Sequence, residues 1–273
     1  MIVFPNCKIN LGLNIIRKRE DGYHDLETVF YPLNFFDALE IVNAAKEKTD
    51  DCNLTVSGIH VDAPAPENIC IRAYRLLKKD FPQLPAVDIY LHKAIPVAAG
   101  LGGGSADGAF TLKLLNEKYQ LGISARLLSD YALQLGSDCP FFITNKPCFA
   151  TGRGEKMEEI TLNLSAYKMI VVNPGIPVNT AAAFSRISPA RPEKSIKKII
   201  SEPVEQWKDQ LINDFEKVVF EQHPLISEIK QTLYDAGASY ASMTGSGSTV
   251  FGLFKNEIPG GLRFADSFLQ IRI

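Results

Sequence analysis

From Cys7 to Ile15 the chain alternates without a break. Ile9, Leu11, Leu13 and Ile15 fall on one side, and Lys8, Asn10, Gly12 and Asn14 on the other. A period of two is the signature of a strand with one apolar face, so this stretch is predicted to be a half-buried strand carrying Lys8 and Asn10 on its polar surface. The charged run 17–22 ends in Asp21-Gly22, a hairpin signal. Residues 26–33, 38–42 and 87–93 read as further strands, and 68–79 as a helix. Residues 105–119 read as helical. Ser124 is placed to cap a helix through Leu135, with Leu127, Leu128, Tyr131 and Leu135 on one face and Gly136 as its stop. Beyond the turn 152–154, a strand over 167–172 leads into a Pro-Gly loop and a helix starting near Thr180. A helix over 225–236 stops at Gly237, and strands over 238–243 and 250–254 enclose a Gly/Ser turn. Helices and strands mix without strict β-α-β-α order, which favours an α+β class.

One segment interrupts this pattern with a different purpose. Between the strand at 87–93 and the next helix lies a run from Pro96 to Ala109 with four glycines in the five positions Gly100 to Gly104. Such density lets the backbone turn its N–H groups inward and lets a large anion approach. The following helix adds its free N–H groups and the positive end of its dipole. Pro96, Gly100, Leu101, Gly102, Gly103, Gly104, Ser105 and Ala106 are therefore candidate phosphate-binding positions. No Gly-Lys-Ser/Thr follows, so the loop is not a Walker A motif, and Ser105 stands where a dinucleotide fingerprint needs its last glycine. A linker or tight turn is the alternative reading of the same residues.

Composition adds limits. The 273 residues carry a formal charge of −2, and 22% are charged, so no nucleic-acid footprint is expected. No apolar run is long enough to span a membrane. The five cysteines are scattered without a C-x-x-C pair, and the four histidines show no short-range pairing. This fits reduced thiols in a cytoplasmic protein and predicts no metal site. The chain opens directly on a strand pattern, with no signal peptide expected.

Asp138, on the turn 136–140 ahead of Phe141 and Phe142, could be held partly desolvated near a substrate; it could equally be a turn former. Lys8 alone reads as a solvated strand lysine. Together, an Asp and a Lys beside bound phosphates suit phosphoryl transfer to an alcohol, the Asp taking the hydroxyl proton and the Lys steadying charge. The turn Thr244, Gly245, Ser246, Gly247 could be a plain hairpin loop or could close over the same phosphates. Tyr23 and His24 could stack on a flat ring, or simply pack at a hairpin rim.

The order of these pieces resembles the GHMP kinases, which phosphorylate small-molecule alcohols with ATP. The matching stretches are 8–14, 96–109 and 243–250. Asp21-Gly-Tyr-His24, the glycine run, the 136–142 turn and 244–247 narrow the likeness to the branch acting on a cytidine diphosphate-linked methylerythritol. The likeness runs from about residue 5 to residue 255 and is weakest over 185–210.

The resemblance implies a two-domain α+β fold, with a ribosomal protein S5 domain 2-like ATP-binding domain over 1–155 and a ferredoxin-like domain over 156–273. It implies an active site in the cleft between them, with Asp138 as base and Lys8 as its partner. Tyr23, His24 and Phe184 would hold the cytosine ring, Asn10 and Thr180 would lie near the methylerythritol and its phosphates, and Asn68 and Lys93 near adenosine. ATP with Mg2+ is the implied co-substrate, and a monomer or weak homodimer the implied state. The 2-hydroxyl would be phosphorylated, on the non-mevalonate route to isoprenoid precursors. Two departures stand out: Ala106 replaces a second serine, and Ala98 and Ala99 replace residues that are small or glycine. Homoserine or mevalonate would be the rival alcohols; a nucleotide sensor without catalysis is the rival of another class.

Overall fold

The structure is a computed structural model that describes residues 1–44, 52–60 and 64–273. In chain order the strands are β1 (Ile2–Val3), β2 (Asn6–Lys18), β3 (His24–Phe36), β4 (Ala38–Asn43), β5 (Cys52–Gly58), β6 (Val87–Lys93), β7 (Cys148–Gly152), β8 (Lys156–Glu159), β9 (Lys168–Asn173), β10 (Tyr240–Met243), β11 (Val250–Phe254) and β12 (Leu269–Arg272). The helices are α1 (Ile69–Asp80), α2 (Gly103–Lys118), α3 (Ala125–Leu135), α4 (Phe141–Thr144), α5 (Thr180–Arg186), α6 (Ile196–Ile199), α7 (Phe215–Gln222) and α8 (Pro224–Asp235). They fall into two compact units, each assembled from separate stretches of chain.

The first unit comprises Met1–Cys7, Asn34–Val97 and Gly102–Asn145. Its sheet runs β1-β4-β6-β5. β4 is antiparallel to both neighbours, whereas β5 and β6 are parallel and α1 makes the crossover between them, as parallel pairing requires. α2 packs against α1, α3 and α4. Leu112, Leu114 and Leu115 of α2 are fully buried, and each contributes roughly 1.5–3 kcal/mol by leaving water. Both helix caps read from sequence are present. Ser124 accepts the N–H of Leu127, and the Gly136 N–H closes α3 on Ala132. Leu127, however, is 43% exposed and lies off the buried face formed by Leu128, Tyr131 and Leu135.

The second unit comprises Lys8–Leu33, Ala98–Leu101 and Lys146–Ile273. It contains most of the sheet β2-β3-β7-β8 and the antiparallel sheet β10-β11-β9-β12, against which α8 packs. Its core gathers Leu13, Ile15, Val172, Phe215, Ile226, Leu233, Ala241 and Met243. One expectation is corrected here. β2 is not half-buried: Lys8, Asn10 and Asn14 are as inaccessible as the apolar side. The alternation separates the faces correctly, but the polar face is covered too.

Candidate active site

Burying a lysine and two asparagines on one strand face is costly unless every polar group finds a partner. The partners come from β2 and β3 themselves, where the Asn14 amide donates to Glu27 Oε1 at 3.2 Å, and from the two glycine loops. The Lys8 ammonium donates to Asn10 Oδ1 at 2.5 Å, sits 3.5 Å from the Gly100 carbonyl and lies 4.9 Å from the centre of the Phe30 ring. The Asn10 amide donates to Thr28 Oγ1 at 3.0 Å, and its backbone N–H donates to Thr244 Oγ1 at 2.9 Å. The Thr244 hydroxyl in turn donates to the Gly100 carbonyl at 3.1 Å. Gly100 has φ +78°, and a Cβ there would fall on the Thr244 carbonyl oxygen, so only glycine lets the loops meet.

The Thr244–Thr249 turn is indeed the hairpin loop between β10 and β11, since Met243 pairs with Val250. It is also held from outside. Asn213 donates to the carbonyls of Met243 and Gly245 at 2.8 and 2.9 Å, and the Ser246 hydroxyl bonds that of Thr180 at 2.7 Å. Gly245 and Gly247 both take positive φ. The structure thus brings Lys8, Asn10, Gly100 and Thr244 into one polar network of the second unit, with Ser246 of the same turn paired separately to Thr180.

The ring-binding candidates belong to the same unit. His24, at the start of β3, stacks on Phe184 with centroids 4.8 Å apart and planes 15° from parallel. Phe184 meets Phe215 edge-on. Burial, with Lys18 adding to it, pulls the His24 imidazole below its ordinary value, so it is neutral at neutral pH. Tyr23 is 54% exposed, and the Arg153 guanidinium lies 4.6 Å from its ring centre. Sequence reasoning treated the 152–154 turn as mere punctuation and missed Arg153.

In the first unit, Gly103 and Gly104 are not loop residues but the first turn of α2, whose cap, Gly102, is left-handed at φ +71°. Their N–H groups are among those a helix end leaves free. Nothing lies within 4 Å of a Cβ built on exposed Gly104. Ser105 is half-buried and Ala106 fully buried. Pro96 is half-buried, and Leu101, on the second unit, is buried with its carbonyl accepting the Lys8 N–H at 2.9 Å. Asp138 is half-buried on the turn that leads into α4, where its carbonyl accepts the Phe141 N–H. The neighbouring Cys139 thiol is pushed up to about 12, mainly by burial, with nearby Ser105 pulling it back. The Asp138 turn therefore lies beside the start of α2. Asn68 caps α1, accepting the Cys70 N–H at 2.9 Å. Lys93 is buried between two carboxylates.

Residues 68–146 match the GHMP kinases N terminal domain, and residues 195–260 the GHMP kinases C terminal family. The 4-diphosphocytidyl-2-C-methyl-D-erythritol kinase of Bacteroides fragilis is 54% identical over 259 residues, covering 94% of this chain and 93% of the relative. The chain belongs to this kinase family. The kinase of the same name from Parabacteroides distasonis is 52% identical over 273 residues, covering 98% of both chains. A crystal structure of 4-(cytidine 5'-diphospho)-2C-methyl-D-erythritol kinase superposes with TM-score 0.77 at 30% identity, covering 93% of this chain and 90% of that one. Methanococcus jannaschii mevalonate kinase has TM-score 0.68 at 14% identity over 93% and 90%, a likeness of fold alone. The two-domain α+β GHMP kinase fold expected from the motifs is thus the fold observed. Among the described residues, no helix is long and apolar enough to cross a membrane.

Proposed function

We propose that this kinase transfers the γ-phosphoryl group of ATP to the 2-hydroxyl of 4-diphosphocytidyl-2-C-methyl-D-erythritol, giving the 2-phosphate and ADP. The reaction belongs to the non-mevalonate route to isoprenoid precursors, in the cytoplasm. One observation carries the chemistry: the first-strand lysine and the hydroxyl of the second glycine loop converge on a single carbonyl of the first, that of Gly100. Family membership carries the substrate.

The free N–H groups at the start of α2 receive the nucleotide phosphates, which arrive with Mg2+ as their counter-ion. Asn68 flanks the adenosine side. Tyr23, His24 and Phe184 hold the cytosine, the neutral His24 offering a ring nitrogen without a charge to desolvate. Asn10 and Thr180 face the methylerythritol unit. As the substrate oxygen bonds to the γ-phosphorus, the bond from that phosphorus to the bridging oxygen breaks and ADP departs. The hydroxyl proton passes to Asp138, and the Lys8 ammonium offsets charge on the transferring group.

The test is Asp138→Asn. A positioned general base contributes about 10²- to 10⁴-fold, so kcat should fall by that factor while both KM values stay within a few-fold. A normal turnover number removes Asp138 from the mechanism.

A further inference from the structure

One buried charge cluster grips both ends of the glycine segment; of its members only Lys93 is expected near adenosine, and no step of the phosphoryl transfer above uses any of them. The Lys93 ammonium donates to Asp107 Oδ2 at 2.7 Å and to Asp37 Oδ2. All three side chains are at most 3% exposed. Asp37 Oδ1 accepts the N–H groups of Ala94 and Ile95 at 2.6 and 2.8 Å, which fixes the chain just before it enters the segment. Asp107 stands on α2, four residues past Gly103 where the chain leaves the segment. A Cβ on Gly103 would lie 2.7 Å from Ile95 Cγ2 and 3.4 Å from Lys93 Nζ, so the entering and leaving arms touch each other and the lysine.

Stability alone does not account for this cluster. Two carboxylates and one ammonium bury unequal charge, and buried ion clusters are often no more stabilising than apolar residues of the same volume. The strain shows at Asp107. Its Oδ1 is buried without a hydrogen-bond partner, and burial pushes its carboxyl upward against the pull of Lys93. What the cluster does supply is a polar tie between the two arms, beside the packing of Ile95 on Gly103.

We propose that Asp37, Lys93 and Asp107 are positioning residues that set the spacing of the glycine segment's two arms and so pre-align the first N–H groups of α2 for the nucleotide phosphates. This rests on the ATP reading above. The experiment measures melting temperature against MgADP concentration, together with KM for each substrate, in wild type, Asp37→Asn and Asp107→Asn. Asp37→Asn keeps an Oδ1 for the two N–H groups while removing the charge.

Each variant serves as its own unliganded reference, which separates lost stability from lost alignment. We expect at least tenfold more MgADP to reach the same rise in melting temperature, and KM for ATP raised at least tenfold, with KM for the alcohol within twofold. Lower melting temperatures with the same rise at each MgADP concentration as wild type would show a merely structural cluster and overturn the proposal. If Asp107→Asn does not fold, Asp37→Asn decides by the same criteria. A wild-type protein whose melting MgADP does not shift contradicts the nucleotide reading itself, a result distinct from any difference between variants.

Discussion

Gly104→Ala separates the stability of the first glycine loop from its function. Gly104 is exposed in the first turn of α2, takes no left-handed φ, and has nothing within 4 Å of an added Cβ. Alanine suits a helix better than glycine by up to about 0.5–1 kcal/mol. At a helix end we take the lower figure, which corresponds to a rise of roughly 1–2 °C in melting temperature for a chain of this size. On the function proposed above, that open space is where a phosphate comes to meet the N–H groups. A methyl group there displaces it and weakens at least one hydrogen bond to a charged group, worth about 1.5–3 kcal/mol. Every 1.4 kcal/mol is about tenfold, so KM for ATP should rise roughly 10- to 100-fold. Gly100→Ala and Gly103→Ala do not discriminate, because their Cβ atoms collide with Thr244 and Ile95 and both properties should suffer. The assay pairs a thermal melt with steady-state kinetics. An unchanged or raised melting temperature with KM for ATP within twofold would refute phosphate binding at this turn.

Arg153→Ala removes the cation over Tyr23; at an exposed site that contact is worth about 0.5–1 kcal/mol, so KM for the cytidine substrate should rise about two- to fivefold with kcat unchanged. Asn10→Ala strips the Lys8 ammonium of its 2.5 Å acceptor and leaves Thr28 without its donor. It should cost about 1–3 kcal/mol in a denaturant melt and lower kcat as Lys8 loses its orientation. His24 has an imidazole depressed first by burial and then by Lys18. Its stabilising contribution is therefore complete above the ordinary imidazole value and is lost as pH falls through the lower folded one. A proton NMR titration should place its midpoint below about 6.5, and Phe184→Ala should move that midpoint upward by uncovering the ring.

Much of the fold was legible because local signals and long-range packing agree. Ser124 and Gly136 bracket α3, the alternation of β2 separates its faces, and the 244–249 turn joins two adjacent strands. Sequence falls short where partners are remote. Alternation says which side chains share a face, not what covers it, and so Lys8 and Asn10 read as solvated until loops from residues 100 and 244 are laid over them. The four-residue β12 exists because β9 offers it an edge, and β7 because β3 does. The candidate site followed the same rule. The glycine loops announce themselves by composition and Tyr23 and His24 by their likeness to the family's Asp-Gly-Tyr-His motif, whereas Asp37 meets Lys93 across 56 positions of sequence and carries no local mark. Arg153 was hidden because a turn between two glycines looks like punctuation.

The most direct measurement is coupled ADP release from MgATP with 4-diphosphocytidyl-2-C-methyl-D-erythritol, homoserine and mevalonate offered in parallel to the wild-type protein. The account predicts turnover on the cytidine-linked alcohol alone, with competition by free cytidine nucleotides. Turnover on homoserine or mevalonate instead, or ATP binding without ADP release on any of the three, would contradict it.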